Sequence, residues 1–121
     1  EKELLDASLD KIPESYFDQF EIFKTHAKLL EFMPKGINKA YGLTQLINQL
    51  NLKPENVMAM GDSENDEAFL KEAGMKVAVG NAEDFLKKNS DYVCKNNYGD
   101  GVKEAIEKFV ANHNKFWVFK F

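Results

Sequence analysis

Two aspartates stand just beyond an apolar run in the middle of the chain, and their spacing suits the binding of a metal ion. Val57–Met60 is apolar throughout, and it leads into Gly61 and Asp62, with Asp66 in the same loop. This pattern is typical of a buried parallel strand, and ligands of open α/β sheets bind just past the carboxyl ends of such strands. Two carboxylates that share a pocket with water and phosphate oxygens suit Mg²⁺. The sequence therefore predicts a Mg²⁺ site formed by Asp62 and Asp66, with Gly61 allowing a close approach of the backbone.

The same loop also has a purely structural interpretation. Ser63 and Asp66 are spaced as in a capping box, in which a serine caps a helix and an acidic residue three positions on bonds back to the backbone. A capping box accounts for Ser63 and Asp66, but it does not explain Gly61 and Asp62 at the end of an apolar strand. The local pattern leaves both interpretations open, and the cap hydrogen bonds are compatible with a metal site.

Hydrophobic spacing after residue 38 predicts an alternation of helices and short strands. Leu43, Leu46, Ile47 and Leu50 share one face of a helix, with Lys39 in its first turn. The other predicted elements are strands at 57–60, 77–79 and 92–94 and helices at 68–73, 82–88 and 102–110. Such alternation with short connections predicts an α/β fold with a parallel sheet.

Four further positions in this region have structural interpretations. Gly74 is predicted to be a left-handed C-cap. Asn81 and Asp100 are predicted to be N-caps of the helices that follow them. Cys94 is interpreted as a small buried hydrophobic residue rather than a nucleophile.

The two ends of the chain differ from this central region. Residues 3–11 and 14–19 have helical spacing, and the β-rich runs 20–24 and 27–33 follow, up to a break at Pro34–Gly36. The last residues, 113–121, are rich in aromatic side chains and are expected either to pack back on the core or to cover a sheet edge. We therefore divide the chain into residues 1–35, 36–112 and an aromatic tail at 113–121.

Composition excludes several classes of function. The chain of 121 residues has a formal net charge of -4 and no Lys/Arg run longer than Lys87–Lys88, which argues against nucleic acid as a partner. No apolar run approaches the ~20 residues of a membrane helix, and the charged start does not resemble a signal peptide. The single cysteine excludes an internal disulfide and suits the cytoplasm. The absence of an initiator methionine suggests a processed or truncated product.

Four ordered segments together resemble a known family. They are Ile37–Gly42, Gly61–Asp66, Val77–Ala82 and Asn96–Val102. They resemble the C-terminal half of Cof-type phosphatases of the haloacid dehalogenase superfamily, the branch with a large inserted α/β cap, and most closely its sugar-phosphatase subgroup. The resemblance covers residues 1–112. It implies a partial Rossmann-like three-layer parallel sheet at residues 36–112, preceded at residues 1–35 by the end of the α/β cap.

The resemblance also implies roles for individual residues. Asp62 matches the carboxylate that binds Mg²⁺, and Asp66 matches the acid that supports this site directly or through water. Lys39 matches the catalytic lysine that holds the phosphoryl group and the nucleophile, and Asn65 matches a polar contact to the phosphate. The implied substrate is a small phosphorylated metabolite. A lysine and Mg²⁺ supply the positive charge that the oxygens of a transferring phosphoryl group require.

The chain departs from the family in one respect that decides its chemistry. The nucleophile of the family belongs to an Asp-x-Asp motif, and no such motif occurs in this sequence. Since loss of the nucleophile removes nearly all of the rate, we expect the chain alone to be inactive, as a fragment of a phosphatase. The strand that carries the motif in the family lies beside the equivalent of Val57–Met60, so this strand is expected to have an open edge. Three outcomes remain open: a homo-oligomer, a missing N-terminal half that covers the edge, or a rearranged fragment.

Two other functions remain as alternatives. The first is a non-catalytic phosphate- or metal-binding module. The second is a serine esterase of the GDS type, because Gly61-Asp62-Ser63 resembles the nucleophile block of those enzymes. That family requires an Asp-x-x-His pair, whereas the residue three positions before His113 is Val110.

Overall fold

A computed structural model describes residues 2–26, 28–111 and 117–120 of the chain. The chain separates into two compact units, Glu1–Asn38 and Lys39–Phe121. This division falls close to the break predicted at Pro34–Gly36. In the described part of the chain, no helix is long and apolar enough to cross a membrane.

The first unit contains two short helices and an antiparallel strand pair. Phe20 on the first strand stacks on Tyr16 and meets Phe32 of the second strand edge to face. The β-rich runs expected at 20–24 and 27–33 therefore form two paired strands, and Ala27 lies outside the described residues. The elements are α1 (Lys2–Leu9), α2 (Glu14–Gln19), β1 (Phe20–His26) and β2 (Leu29–Pro34).

The second unit is a parallel sheet with helices between its strands. The strand order is β5-β4-β3-β6, and every neighbouring pair is parallel. The alternation predicted from hydrophobic spacing is thereby confirmed. The elements are α3 (Lys39–Gln49), β3 (Val57–Gly61), α4 (Glu67–Lys71), β4 (Met75–Ala78), α5 (Asp84–Lys88), β5 (Tyr92–Val93), α6 (Tyr98–Phe109) and β6 (Trp117–Lys120).

Strand β3 is apolar along its whole length because both of its faces are covered. Side chains alternate across a strand, so Val57 and Ala59 point to one face and Met58 and Met60 to the other. The first pair belongs to a core cluster that also contains residues of α3, α4 and α5. The second pair packs with Ala105 of α6. The result is the predicted three-layer arrangement, in which the end of β3 is the natural position for a site.

The C-terminal strand β6 changes one expectation. It pairs with β3 in parallel, with Val57 opposite Trp117 and Met60 opposite Lys120. In this structure β3 therefore has a strand on each side, and the open edge expected from the sequence is not present. The tail adopts one of its two expected placements, covering a sheet edge, although residues 112–116 and Phe121 lie outside the described part.

The prediction that Gly74 is a left-handed C-cap is wrong. Gly74 is not among the residues with positive φ, and α4 is followed by Glu72 in a right-handed conformation. The glycine is required for close contact instead, because a Cβ atom added to it would lie 2.5 Å from the Cα atom of Glu55. Its N–H donates a hydrogen bond of 2.7 Å to the carbonyl of Pro54. Packing against this turn, rather than helix termination, explains the glycine.

The two predicted N-caps are also wrong. Helix α5 is preceded by Glu83 rather than Asn81, and α6 is preceded by Asn97, so that Asp100 lies inside its first turn. The side-chain oxygen of Asn81 instead accepts a hydrogen bond of 2.6 Å from the backbone N–H of Tyr98. Asn81 therefore joins two loops across the end of the sheet, a long-range contact that local spacing could not indicate.

Candidate functional site

The carboxylate of Asp66 organises the loop that follows β3. The residue lies in a 3-10 turn, Glu64–Asp66, and only 1% of it is exposed. Its Oδ2 atom accepts hydrogen bonds from the backbone N–H groups of Asp62, at 3.1 Å, and Ser63, at 3.4 Å. The predicted capping box of Ser63 and Asp66 is present. The structural interpretation of this pair is therefore confirmed, and it coexists with the contact to Lys39.

The other oxygen of Asp66 holds the side chain of Lys39. Lys39 is the first residue of α3, and its Nζ atom lies 2.7 Å from Oδ1 of Asp66. The lysine side chain is 46% exposed, whereas the carboxylate is buried. Because an ammonium group has three donors, this ion pair leaves donors of Lys39 directed to solvent, where an anion can bind. Asp66 thus holds the positive charge of Lys39 near the end of β3.

Gly61 is the reason that Asp66 can occupy this place. A Cβ atom added to Gly61 would lie 2.6 Å from Cβ and 2.9 Å from Oδ2 of Asp66. Both distances are far below van der Waals contact, so any side chain at this position would displace the carboxylate. The close approach expected at Gly61 is therefore confirmed, and the group that approaches is Asp66.

The carboxylate of Asp62 is the candidate metal ligand. Its backbone is fixed on both sides, by the N–H bond to Asp66 and by a hydrogen bond of 2.9 Å from the N–H of Glu83 to its carbonyl. The side chain itself is exposed, and no hydrogen bond joins it to another described residue. A carboxylate that accepts no hydrogen bond from the described residues, on a backbone that is fixed, is suited to binding a cation.

The donor set fits a hydrated magnesium ion better than a fully enclosed one. Among residues 2–26, 28–111 and 117–120, no group of three or more His, Cys, Asp or Glu side chains is placed to hold a metal ion. Both oxygens of Asp66 are already used by protein donors. Magnesium keeps several waters and commonly binds through one or two carboxylates and substrate phosphate oxygens. Asp62 is suited to such a direct contact, and Asp66 to a supporting one.

Asn65 lies exposed in the same turn as Asp66. The structure therefore brings Asp62, Asn65 and Asp66 into one loop and places Lys39 against it. A contact between Asn65 and a phosphate group stays a prediction.

Glu83 is a residue of this region that sequence reasoning missed. Its backbone N–H bonds to the carbonyl of Asp62, and its Oε2 atom accepts a hydrogen bond of 3.1 Å from the N–H of Glu64. Glu83 therefore ties the loop after β4 to the loop after β3. Only the adjacency of these two strands creates the contact, so no local signal in the sequence could have revealed it.

Glu104 of α6 is a second residue that sequence reasoning missed. Its carboxylate accepts hydrogen bonds from the Tyr92 hydroxyl at 2.7 Å, from the N–H groups of Lys95 and Asn96 and from the Asn96 side chain at 2.8 Å. The Tyr92 hydrogen bond, followed by those from Lys95 and Asn96, lowers the pKa of Glu104 to about 2. The same bond to Glu104, with burial, raises the pKa of Tyr92 to about 12. In the sequence, Glu104 is indistinguishable from the other charged residues of an amphipathic helix.

Cys94 is buried, as expected from the sequence, with 3% of its surface exposed. Burial, together with the negative charge of Glu104, raises the pKa of its thiol to about 11. A protonated, buried thiol is a poor nucleophile, so Cys94 is a packing residue. The esterase alternative requires a base for Ser63, and its candidate His113 lies outside the described residues.

Comparison with known proteins identifies the family. The sequence model of the haloacid dehalogenase-like hydrolases matches residues 1–106. A phosphoglycolate phosphatase from Methanobrevibacter smithii is 70% identical over 95 residues, which are 78% of this chain and 40% of that protein. The 5-amino-6-(5-phospho-D-ribitylamino)uracil phosphatase YcsE of Bacillus subtilis is 46% identical over 92 residues, which are 76% of this chain and 37% of that protein.

Solved structures agree with the sequence comparisons. A haloacid dehalogenase-like hydrolase from Bacteroides thetaiotaomicron superposes with a TM-score of 0.76 at 34% identity, over 89% of this chain and 41% of that one. The chain thus spans about two fifths of the length of these relatives. With the parallel sheet and the loop after β3 both in place, the match over residues 1–106 shows that the chain belongs to the haloacid dehalogenase-like hydrolases, as its Cof-type resemblance predicted.

Proposed function

We propose that this chain provides the phosphate- and magnesium-binding part of a cytoplasmic phosphatase that hydrolyses small phosphorylated metabolites such as sugar phosphates. The observation that carries the proposal is the contact of 2.7 Å between Lys39 Nζ and Asp66 Oδ1, beside the uncommitted carboxylate of Asp62. A cation-binding carboxylate on the loop after β3 and a partly exposed ammonium group at the start of α3 then lie at the end of β3. Such a pair suits a dianionic phosphate monoester.

Each residue has a separate task in this proposal. Lys39 binds phosphoryl oxygens with the donors that Asp66 leaves available, while Asp66 fixes the position of the ammonium group. Asp62 holds Mg²⁺, and Asn65 contacts the phosphate from the same turn. When bound, Mg²⁺ supplies positive charge that stabilises negative charge on the phosphoryl oxygens.

The nucleophile is the missing part of the proposed site. No Asp-x-Asp motif occurs in the 121 residues, so the proposal assigns the attacking carboxylate to residues outside this chain. The chain alone is then a binding part without turnover. The names of the relatives support the substrate class, because phosphoglycolate and a phosphorylated ribityl compound are both small phosphate monoesters.

A chimaeric enzyme tests this proposal. The matching segment of the phosphoglycolate phosphatase from Methanobrevibacter smithii is replaced by the corresponding 95 residues of this chain. Turnover of p-nitrophenyl phosphate is then measured with Mg²⁺. We expect the chimaera to be active, the isolated chain to be inactive, and Asp62→Asn in the chimaera to lower kcat/KM by about tenfold or more. Asp84→Asn is the matched control, because Asp84 is exposed at the start of α5 and the structure assigns it no contact.

Other outcomes separate the alternatives. A folded chimaera that binds Mg²⁺ without turnover would favour the non-catalytic binding module. Turnover by the isolated chain that Asp62→Asn abolishes would show that the nucleophile lies within these residues. Labelling of Ser63 by a serine-directed phosphonate would favour the esterase.

A further inference from the structure

Glu104 lies on α6, an element separate from the loop that carries Asp62. Both of its carboxylate oxygens are used as acceptors, by the Tyr92 hydroxyl, by two consecutive backbone N–H groups and by the Asn96 amide. One side chain therefore fixes the start of the loop that runs from β5 to α6. An ionised carboxylate accepts from all of these groups at once, and the two backbone N–H groups and the Asn96 amide nitrogen can act only as donors.

This loop is bonded directly to the loop that follows β4. The carbonyl of Asn96 accepts a hydrogen bond of 2.8 Å from the N–H of Gly80. A Cβ atom added to Gly80 would lie 2.7 Å from that carbonyl oxygen, so the two backbones are as close as their atoms permit. The bond of 2.6 Å from the N–H of Tyr98 to Asn81 makes a second link between the same two loops.

The loop after β4 is bonded in turn to the candidate site. The N–H of Val79 donates to the carbonyl of Gly61 at 3.2 Å, and the N–H of Glu83 donates to the carbonyl of Asp62 at 2.9 Å. The Glu83 carboxylate accepts from the N–H of Glu64. Three consecutive loops at the carboxyl end of the sheet are thus joined, and the chain of bonds begins at Glu104.

We propose that Glu104 is a positioning residue for the site, which holds the loop of Asp62 in its binding conformation through the loops that follow β5 and β4. This inference rests on the proposed function, since the loop is the one proposed to bind Mg²⁺. The dependence of the hydrogen bonds between the three loops on Glu104 is a separate claim, which can be measured without Mg²⁺.

Glu104→Gln is the test, because glutamine retains the shape but removes the charge and replaces one acceptor oxygen by an NH₂ group, which cannot accept from the backbone N–H of Lys95 or Asn96. Backbone hydrogen exchange in the 121-residue chain is expected to accelerate by about tenfold at Gly80, Glu83 and Glu64 relative to amides of β3 and β4, as in a local opening. The dissociation constant for Mg²⁺, measured from amide chemical shifts of Asp62 and Ser63, is expected to rise by about threefold to tenfold.

Two controls separate positioning from general destabilisation. Ile106→Val destabilises the same helix without touching the carboxylate, and it should accelerate exchange in the strands and loops alike and leave the Mg²⁺ dissociation constant unchanged. Glu107→Gln removes a carboxylate from the exposed face of α6 and should change neither quantity. If Glu104→Gln does not fold, Tyr92→Phe removes one donor and should produce the same pattern with a smaller amplitude.

Exchange that accelerates only at Lys95 and Asn96, with an unchanged Mg²⁺ dissociation constant, would overturn the inference. A wild-type chain that does not bind Mg²⁺ would instead contradict the proposed function. In that case the exchange at Gly80, Glu83 and Glu64 still decides whether Glu104 holds these loops.

Discussion

A Cβ atom on Gly61 would lie 2.6 Å from the Cβ atom of Asp66, so the buried position of the Asp66 carboxylate requires a glycine at residue 61. Within the loop after β3, the carboxylate of Asp66 accepts hydrogen bonds from the backbone N–H groups of Asp62 and Ser63. The same carboxylate holds Lys39 from another helix. The stability of the fold and the geometry of the site therefore depend on the same few atoms.

The substitution Gly61→Ala tests this relationship. The added methyl group must displace Asp66, and we expect a loss of about 1–3 kcal/mol in the free energy of unfolding, as for other overpacked sites. Urea unfolding measures the change. Gly42→Ala is the control, because nothing lies within 4 Å of its added Cβ atom and alanine in a helix interior should stabilise by about 0.5–1 kcal/mol. Equal effects of the two substitutions would contradict the predicted clash.

Neutral substitutions of Lys39 and Asp66 should both lower stability, because each breaks the contact between the two side chains. Asp66→Asn places an amide N–H against either the Lys39 ammonium or the N–H groups of Asp62 and Ser63, and we expect a loss of about 1–3 kcal/mol in the free energy of unfolding. Lys39→Met leaves Oδ1 of the buried Asp66 carboxylate without its donor, and we expect a similar loss of about 1–3 kcal/mol. Lys39→Met should also weaken the binding of inorganic phosphate, measured by titration. Lys88→Met, at the exposed end of α5, should leave phosphate binding unchanged.

The hydrogen bonds of Glu104 predict a specific dependence of stability on pH. Its pKa is lowered from 4.5 to about 2 on folding, chiefly by the Tyr92 hydroxyl, so the unfolded chain takes up this proton first as pH falls. The stabilisation that Glu104 provides is therefore complete above about pH 4.5 and is lost between there and pH 2. Urea unfolding from neutral to acid pH should show that the difference in the free energy of unfolding between wild type and Glu104→Gln becomes smaller over this interval. A difference that does not change with pH would show that the lowered pKa of Glu104 does not contribute to stability.

The pairing of β6 with β3 predicts the effect of a C-terminal truncation. Deletion of residues 117–121 removes the parallel neighbour of a fully apolar strand, and its edge becomes available to other chains. We expect a loss on the order of 2–4 kcal/mol in stability, from about 0.5–1.5 kcal/mol for each ladder hydrogen bond. Light scattering should show self-association that grows with protein concentration.

A milder variant and a control complete the truncation experiment. Val118→Ala removes part of a side chain that packs on the second face of the sheet and should destabilise without opening the edge. Removal of residue 121 alone should have little effect on association. A truncated chain that stays monomeric and equally stable would show that β6 does not protect β3. Homo-oligomerisation of the 121-residue chain stays a prediction, and light scattering of that chain without the deletion measures it.

The sequence by itself determined the order of the elements and the position of the candidate site. Hydrophobic periodicity is a local property, so β3, the helices around it and the loop at Asp62 could all be predicted from spacing. The pairing of Lys39 with that loop was implied by family resemblance. Only the tertiary structure decided which groups the polar side chains meet. Helix ends at Gly74 and Asn81 were predicted wrongly because contacts across the sheet, rather than local capping, determine those residues.

Glu104 and β6 show the same limit most clearly. Nothing in the spacing of α6 distinguishes one acidic residue from another, because the donors that select Glu104 lie on β5 and the loop beyond it. Likewise, the aromatic tail was expected either to pack back on the core or to cover a sheet edge, but its register against β3 could not be predicted. Hydrogen bonds between distant segments depend on which strands become neighbours, and that is settled only when the whole sheet has formed.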